Sequence, residues 1–194
     1  MTDLHPMRIQ GNWDAGYVLD LHVESSDFIG YDEFGHAKYD TKRTELGELV
    51  YRLKYNRDTS VIDEIVGLIR GFAPFSTIDV IIPVPPSNIS RTFQPVVEIA
   101  KRIGCSLGIQ VLTDAVTKTK NTPELKNVLT VEEKYDILKD VFKVADELTR
   151  GKIVLLLDDL YDTGATLRAI TNAVYEQGGA RKVKVLALTK TRRR

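Results

Sequence analysis

Cysteine is almost absent from this chain, whose 194 residues include only Cys105. A single thiol excludes a disulfide within the chain and the multi-cysteine sites that hold structural zinc. Histidine is scarce as well, with three residues, and His22 and His36 lack both a neighbouring cysteine and the spacing of a metal motif. The sequence therefore predicts neither a disulfide-bonded scaffold nor a zinc module.

An excess of charge of either sign is also lacking, because lysine plus arginine and aspartate plus glutamate both number 27. Without a global positive field, direct binding of nucleic acid is not expected, and the basic residues 190–194 are interpreted as a solvated terminus. No apolar run is long enough to span a membrane, and the polar first residues do not resemble a secretion signal. We expect a cytoplasmic protein without a membrane segment, and its 43% hydrophobic content is enough for a sizeable core.

The most informative stretch is residues 153–167, which read IVLLLDDLYDTGATL. Five apolar residues, 153–157, predict a strand buried on both faces, and the acids Asp158 and Asp159 follow at its end. A small hydroxylated turn then leads into apolar residues at helical spacing. A helix N-terminus that faces a glycine turn binds anions, while two carboxylates can accept hydrogen bonds from adjacent sugar hydroxyls. The pattern suits a ribose 5-phosphate. An acidic turn that merely caps the helix is the alternative, but it does not account for two adjacent acids.

Around this stretch, strands and helices are expected to alternate along the chain. Residues 16–40 are rich in strand formers and turn residues, and two amphipathic helices are predicted between residues 44 and 71. Core strands are expected at 78–82, 111–116 and 183–188, with a helix that starts at Pro95 and stops at Gly104. The alternation predicts an α/β fold with a doubly wound, mainly parallel sheet. We expect residues 1–75 to form an N-terminal hood, made of a β-hairpin and two helices, and residues 76–194 to form the core domain.

The string at residues 155–166, LLLDDLYDTGAT, resembles the phosphoribosyl-pyrophosphate (PRPP) signature of type I phosphoribosyltransferases. The resemblance implies that Asp158 and Asp159 hold the ribose 2′- and 3′-hydroxyls, directly or through Mg²⁺ as cofactor. It also implies a cradle for the 5′-phosphate, formed by Asp162, Thr163, Gly164, Ala165 and Thr166. The one departure is Tyr161, where many members of the family have a smaller aliphatic residue.

The pyrophosphate is expected to bind at two further loops, because type I enzymes hold it after the first core strand and close a second loop over it. The first loop offers Pro85, Pro86, Ser87 and Arg91, whose guanidinium matches phosphate oxygens. The second is the polar stretch after residue 116, with Lys118, Lys120 and Lys126 as candidates. For Arg91 and for each lysine, an ordinary exposed loop position is the alternative interpretation.

A looser resemblance, to ComF/GntX-like proteins linked to competence and DNA uptake, rests on residues 53–55, 82–85, 91–94 and 119–142. ComF proteins usually carry an N-terminal cysteine-based zinc module, which this chain lacks. Asp162 is instead similar to the aspartate that purine salvage enzymes place near N7 of the base for proton transfer. That similarity makes Asp162 the candidate catalytic residue, and a helix cap is the alternative.

Taken together, these patterns predict a Mg²⁺-dependent phosphoribosyltransferase that transfers phosphoribose to or from a nucleobase-like acceptor and releases pyrophosphate. We expect PRPP, or a nucleotide that contains ribose 5-phosphate, as the ligand and a homodimer as the assembly. Two alternatives stay open. One is a non-catalytic module that senses PRPP or a nucleotide, and the other is a ComF-like accessory protein in DNA uptake or mobile-element defence, acting through a protein partner.

Overall fold

A computed structural model describes residues 4–72, 77–86, 93–119, 133, 137–138 and 140–192, which form ten strands and five helices among them. In chain order the strands are β1 (Met7–Arg8), β2 (Ala15–Leu21), β3 (Val23–Tyr31), β4 (Ala37–Arg43), β5 (Val80–Pro83), β6 (Gln110–Val111), β7 (Val116–Lys118), β8 (Phe142–Val144), β9 (Ile153–Tyr161) and β10 (Lys182–Lys190). The helices are α1 (Glu45–Tyr55), α2 (Ile62–Phe72), α3 (Pro95–Leu107), the one-turn α4 (Asp146–Thr149) and α5 (Ala165–Glu176), with a 3₁₀ turn at Thr59–Val61.

Six strands form the central sheet, in the order β1-β2-β10-β9-β5-β6. Strands β2, β10, β9, β5 and β6 are parallel to their neighbours, and β1 pairs antiparallel with β2 at the edge. The mainly parallel α/β architecture predicted from the sequence is therefore confirmed. The division at residue 75 stays a prediction, although β1 and β2 lie before it and join the same sheet as residues 80–190.

Each face of the sheet buries its own hydrophobic core. On one face, Val154 and Leu156 of β9 pack with Ile170 and Val174 of α5. On the other face, Leu155 and Leu157 pack with apolar side chains of α1, α2 and α3. Side chains alternate along a strand, so consecutive residues of β9 meet different layers, and the parallel strands are hydrophobic on both sides.

The helix predicted after Thr44 is confirmed, and its cap explains where it starts. The Thr44 hydroxyl accepts a hydrogen bond from the Gly47 backbone N–H at 2.9 Å, which satisfies one of the free donors of the first turn. The predicted apolar stripe is buried: Leu46, Leu49, Val50 and Leu53. This packing fixes α1 on the sheet and directs the opposite side of its last turn towards the carboxyl ends of the strands.

Several element ends differ from the prediction. Helix α3 passes through Gly104 to Leu107 and ends at Gly108, which has φ 67°. Gly104 lies inside the helix because its bare Cα faces Val111, where an added Cβ would come within 2.3 Å of a side-chain methyl. Strand β9 does not stop at Leu157 but continues to Tyr161, since β10 is long enough to pair with it up to Lys190. The predicted strand at 111–116 is likewise divided between β6 and β7.

Strands β3 and β4 form a separate hairpin rather than part of the sheet. The turn predicted at residues 32–35 is present, and the Asp32 carboxylate accepts hydrogen bonds there from the Phe34 and His36 backbone N–H groups. The hairpin exposes several aromatic side chains: Phe28, Tyr31, Phe34 and Tyr39. Among the residues described, no helix has the length and apolar character needed to cross a membrane.

Candidate functional site

The acid pair lies at the carboxyl end of the central strand β9. Asp159 shares a face of the strand with Leu155 and Leu157, whereas Asp158 lies on the alternate face. The Asp158 carboxylate accepts a hydrogen bond from the Asp159 backbone N–H at 2.9 Å. Open parallel sheets bind ligands at this edge, so the fold places the two acids where the sequence interpretation needs them.

Lys54, in the last turn of α1, forms an ion pair with one of these acids. Its Nζ lies 2.6 Å from Asp159 Oδ2, and the side chains are 22% and 13% exposed. Burial disfavours the charged ammonium, but the Asp159 carboxylate outweighs burial and raises the pKa of Lys54. The acid pair thus has a resident cation, contributed by the N-terminal part of the chain.

Asp158 lacks such a partner at hydrogen-bond distance among the ion pairs of the described residues. Burial and the neighbouring Asp159 carboxylate raise the pKa of Asp158 to about 7, against the weaker opposing effects of backbone N–H groups and Lys54. Two nearby carboxylates resist simultaneous ionisation in a site of low solvent access. The ionised form of Asp158 is therefore disfavoured here, and hydrogen-bond donors of a ligand, or a cation, would stabilise it.

A hydrogen-bond chain fixes the backbone of Asp159. The buried Thr189 hydroxyl of β10 donates to the Asp159 carbonyl oxygen at 3.0 Å, and His22 Nδ1 lies 3.1 Å from the same hydroxyl oxygen. Because the hydroxyl proton is used by the carbonyl, His22 Nδ1 is the donor in this second bond. Burial, followed by the Arg43 and Lys54 cations, lowers the pKa of His22, which keeps the ring neutral near pH 7.

The turn after β9 leads directly into α5 through Gly164. This residue is the N-cap of α5 with φ 78°, a left-handed conformation that favours glycine. The Thr163 hydroxyl accepts from the Ala165 backbone N–H at 3.2 Å. A Cβ on Gly164 would lie 2.8 Å from the Tyr161 hydroxyl oxygen, so Tyr161 packs against the turn at the position that departs from the family pattern.

This turn meets the requirements of an anion cradle. Residues 162–166 place a glycine and two threonines at the start of a 12-residue helix, whose first backbone N–H groups lack partners within the helix. The acid pair lies on the strand that precedes the turn. Sugar hydroxyls and a phosphate on one small molecule would thus reach both parts together.

Comparison with known proteins decides the family. The family model described as the phosphoribosyl transferase domain matches residues 75–194, which is more than half of the chain and includes β9, the turn and α5. This chain belongs to the phosphoribosyltransferase family. Members of this family carry out PRPP-dependent phosphoribosyl transfer, generally with Mg²⁺.

Solved structures resemble the chain only distantly. An adenine phosphoribosyltransferase from Thermoanaerobacter pseudethanolicus is 14% identical, with a TM-score of 0.47 over 85% of this chain and 95% of that one. The Trypanosoma brucei enzyme, in complex with AMP, pyrophosphate and ribose-5-phosphate, is 12% identical, with a TM-score of 0.44 over 90% and 83%. A hypothetical protein from Neisseria gonorrhoeae with bound ppGpp is 18% identical, with a TM-score of 0.40 over 72% and 70%. No curated protein matches significantly. These similarities are too weak to identify an acceptor.

The candidate catalytic residue, Asp162, is positioned by a residue that follows β10. Thr191, just after that strand, donates its hydroxyl to Asp162 Oδ1 at 2.9 Å, and its backbone N–H bonds the Tyr161 carbonyl. Gly164, two residues later, takes the N-cap position of α5. A carboxylate oriented by a tertiary hydrogen bond next to the turn is suited to proton transfer.

The first of the two loops predicted to bind pyrophosphate starts beside the acid pair. The Val84 backbone N–H donates to the Leu157 carbonyl at 2.8 Å, so Pro85 and Pro86 follow at the same edge of the sheet. Lys118, at the end of β7, is half-buried, and burial lowers its pKa. The remaining candidates lie outside the described residues: Ser87, Arg91, Lys120 and Lys126.

The donors present fit Mg²⁺ only if the ligand contributes oxygens. Mg²⁺ prefers six oxygen ligands and commonly takes one or two carboxylates plus substrate phosphates and water. Asp158 and Asp159 supply carboxylates, but the described part of the chain contains no cluster of three or more metal-binding side chains. A metal ion at this site would therefore need further oxygen ligands from a bound molecule or from water.

Sequence reasoning missed the residues that support the acid pair. The sequence indicates Lys54 only as part of a resemblance, and it indicates no role at the site for Thr189, Thr191 or His22. No local pattern marks them, because the pairing of β9 with β10 and the packing of α1 bring them to β9 from distant positions. The one signal in the sequence was the position of Lys54 on the polar side of a helix whose other side is apolar.

Proposed function

We propose that the protein binds PRPP and transfers its phosphoribosyl group to or from a nucleobase-like acceptor, with Mg²⁺ and release of pyrophosphate. One observation carries the proposal: a strand with two half-buried acids near its carboxyl end runs through a glycine turn into a helix N-terminus. The family match over residues 75–194 supports the same chemistry. A ribose 5-phosphate offers the hydroxyls and the phosphate that these two parts complement.

The roles within the proposal follow from the chemistry of each group. Asp158 and Asp159 accept hydrogen bonds from the ribose hydroxyls, and the turn at residues 162–166 binds the 5′-phosphate with backbone N–H groups. Displacement at C1′ develops positive charge on the sugar, and the adjacent carboxylates stabilise it. Asp162 takes or gives the proton of the acceptor. When bound, Mg²⁺ would neutralise the departing pyrophosphate, with Asp158 and Asp159 as ligands, directly or through water.

The experiment that tests the function combines binding with turnover. Calorimetry with PRPP and Mg²⁺ is expected to show saturable binding, and a panel of bases is expected to give PRPP-dependent release of pyrophosphate with at least one. The variant with Asp158→Ala and Asp159→Ala should lose both signals. A matched variant removes two acids remote from the site on α2 and α3, Asp63→Ala with Glu98→Ala, and should keep them. Absence of binding by any ribose 5-phosphate compound would refute the proposal.

Asp162 gives a separate prediction about the chemical step. Asp162→Asn keeps the hydrogen bond with Thr191 but removes the proton acceptor, so kcat is expected to fall about 10²- to 10⁴-fold. Affinity for PRPP should stay within about threefold, because the amide preserves the shape of the turn. Steady-state kinetics and calorimetry separate the two effects. Equal losses of kcat and of PRPP affinity would show that Asp162 only shapes the cradle.

The exposed aromatic hairpin β3–β4 favours a second candidate function. Phe28 is 52% exposed and Phe34 77% exposed, and such side chains contact partner proteins. In this alternative the protein senses PRPP or a nucleotide, or acts as a ComF-like accessory, and works through a protein partner. Binding of PRPP without turnover over a broad base panel would favour it. The homodimer and the cytoplasmic location stay predictions in either case.

A further inference from the structure

Lys54 lies outside the part of the chain that matches the family, and it contacts the acid pair. It precedes residues 75–194, the range of the family match, and its ion pair with Asp159 spans 105 residues of sequence. Its neighbour Leu53 is fully buried on the sheet, so α1 cannot turn the lysine away without losing that packing. The contact is thus imposed by the packing of α1, not by a mobile side chain alone.

Without Lys54, the negative charges of Asp158 and Asp159 would be unbalanced. Asp158 and Asp159 would present two carboxylates at an edge with limited access to water, where an unpaired charge is costly. Among the described residues, the ion pair made with these acids is the one from Lys54 to Asp159 at 2.6 Å. An ammonium group has three donors, so Lys54 can bond to Asp159 and still donate to a ligand oxygen.

Ribose hydroxyls need acceptors that are ionised and fixed in direction. The Lys54 ammonium holds one carboxylate oxygen of Asp159, Oδ2, and leaves the other, Oδ1, to accept from a ligand. The Thr189 hydroxyl fixes the backbone carbonyl of the same residue. The Lys54 ammonium and the Thr189 hydroxyl therefore orient Asp159 for a sugar hydroxyl before any ligand or metal ion binds.

We propose that Lys54 is a positioning residue of the acid pair, whose ammonium group supplies the positive charge that ribose binding requires there. The ribose 5-phosphate end of the ligand then binds without a divalent cation, and Mg²⁺ is needed only when the pyrophosphate is present. This inference rests on the proposed function, because it assumes that the acid pair binds ribose.

Ribose 5-phosphate is the probe that isolates this end of the site, since it has no pyrophosphate to recruit a metal ion. Its affinity is measured by calorimetry in EDTA and again in excess Mg²⁺. For the unmodified protein the two affinities are expected to agree within about twofold. Lys54→Met should weaken binding about tenfold or more in EDTA, because a charge-assisted hydrogen bond and the balance of charge are lost. Addition of Mg²⁺ should restore much of that loss.

Two further variants separate positioning from a merely structural ion pair. Lys54→Arg keeps the cation and is expected to bind within about fivefold of the unmodified protein in EDTA. Lys101→Met removes a lysine from α3 that pairs with Glu98 on the same helix, and it should change nothing. A structural role alone would not make the effect of Lys54→Met depend on Mg²⁺.

The inference is overturned if the unmodified protein needs Mg²⁺ to bind ribose 5-phosphate, or if folded Lys54→Met binds equally well in EDTA. It is also overturned if Mg²⁺ leaves the Lys54→Met defect unchanged. Should Lys54→Met fail to fold, two measurements still test the inference. They are the affinities of the unmodified protein in EDTA and in Mg²⁺, and the affinity of Lys54→Arg in EDTA. Failure of the proposed function looks different, since no variant would then bind ribose 5-phosphate or PRPP in either buffer, and the inference would fall with it.

Discussion

Asp158→Asn is expected to lose PRPP binding by at least about 100-fold and, at the same time, to make the ligand-free protein more stable at about pH 8. The amide is neutral, so it no longer offers a carboxylate to the ribose hydroxyls or to Mg²⁺. It also removes a charge that the site disfavours, because burial and Asp159 raise the pKa of Asp158 to about 7. The amide oxygen can keep the bond from the Asp159 backbone N–H, so the strand end should retain its shape.

The direction of the pH effect follows from proton linkage. An unfolded aspartate releases its proton near pH 3.9, whereas Asp158 in the folded protein keeps it to about pH 7. The folded state therefore binds more protons between these values, and stability falls as pH rises through this window. Asp158→Asn should abolish that slope and raise the free energy of unfolding above pH 7 by about 1–3 kcal/mol.

Urea unfolding at about pH 5 and pH 8 measures this effect, with Asp63→Asn as the control. Asp63 is an exposed acid paired with Arg102 on the helical side of the fold, and hydrogen bonding by Arg102 lowers its pKa. Its replacement should not stabilise the protein at either pH. A variant at Asp158 that still binds PRPP normally, or that is less stable at about pH 8, would contradict the role given to this carboxylate.

Gly164→Ala is expected to remove binding of both PRPP and ribose 5-phosphate, with a loss of about 100-fold or more. The residue has φ 78°, where a side chain is strained by about 1 kcal/mol or more. An added Cβ would also lie within 2.9 Å of the Tyr161 ring edge and hydroxyl. The turn, the Tyr161 ring at the end of the strand that carries the acids, or both must therefore move. A displacement of about 1 Å is enough to spoil a cradle of backbone donors.

Gly35→Ala provides a control for backbone strain alone. Gly35 has φ 80°, close to that of Gly164, but nothing lies within 4 Å of its added Cβ at the tip of the β3–β4 hairpin. Gly164→Ala should lose more stability than Gly35→Ala, because its added Cβ also meets the Tyr161 side chain, and only Gly164→Ala should lose the ligand. Calorimetry with ribose 5-phosphate and thermal unfolding compare them. Normal binding by Gly164→Ala would show that the phosphate does not occupy this turn.

The parts of the fold that could be predicted were those with a local cause. The apolar run before Asp158 marks a parallel strand, Thr44 marks the start of α1, and the glycine turn at 164 marks the start of α5. Each of these depends on neighbouring residues, so the sequence alone indicates them. The strand order of the sheet depends on packing over the whole chain, and the position of β2 beside β10 was not predicted.

The supporting residues of the site could not be predicted for the same reason. Lys54 reaches Asp159 only because α1 packs on one face of β9, and Thr191 reaches Asp162 only because β10 extends as far as β9 does. The expected end of β9 at Leu157 was wrong by four residues, since apolar character stops there but strand pairing does not. Hydrophobicity predicts burial, and pairing between strands decides where an element ends.

The location of β2 has a consequence for how the chain reaches its folded state. β2 has partners only in β1 and β10 within the sheet, and the bond from Val183 to Asp14 spans 169 residues of sequence. During synthesis, the edge of β2 that pairs with β10 must therefore stay unpaired until β10 has left the ribosome. Pairings this distant in sequence slow folding and expose strand edges. The sheet that carries the site is therefore completed by a pairing between its second strand and its last one.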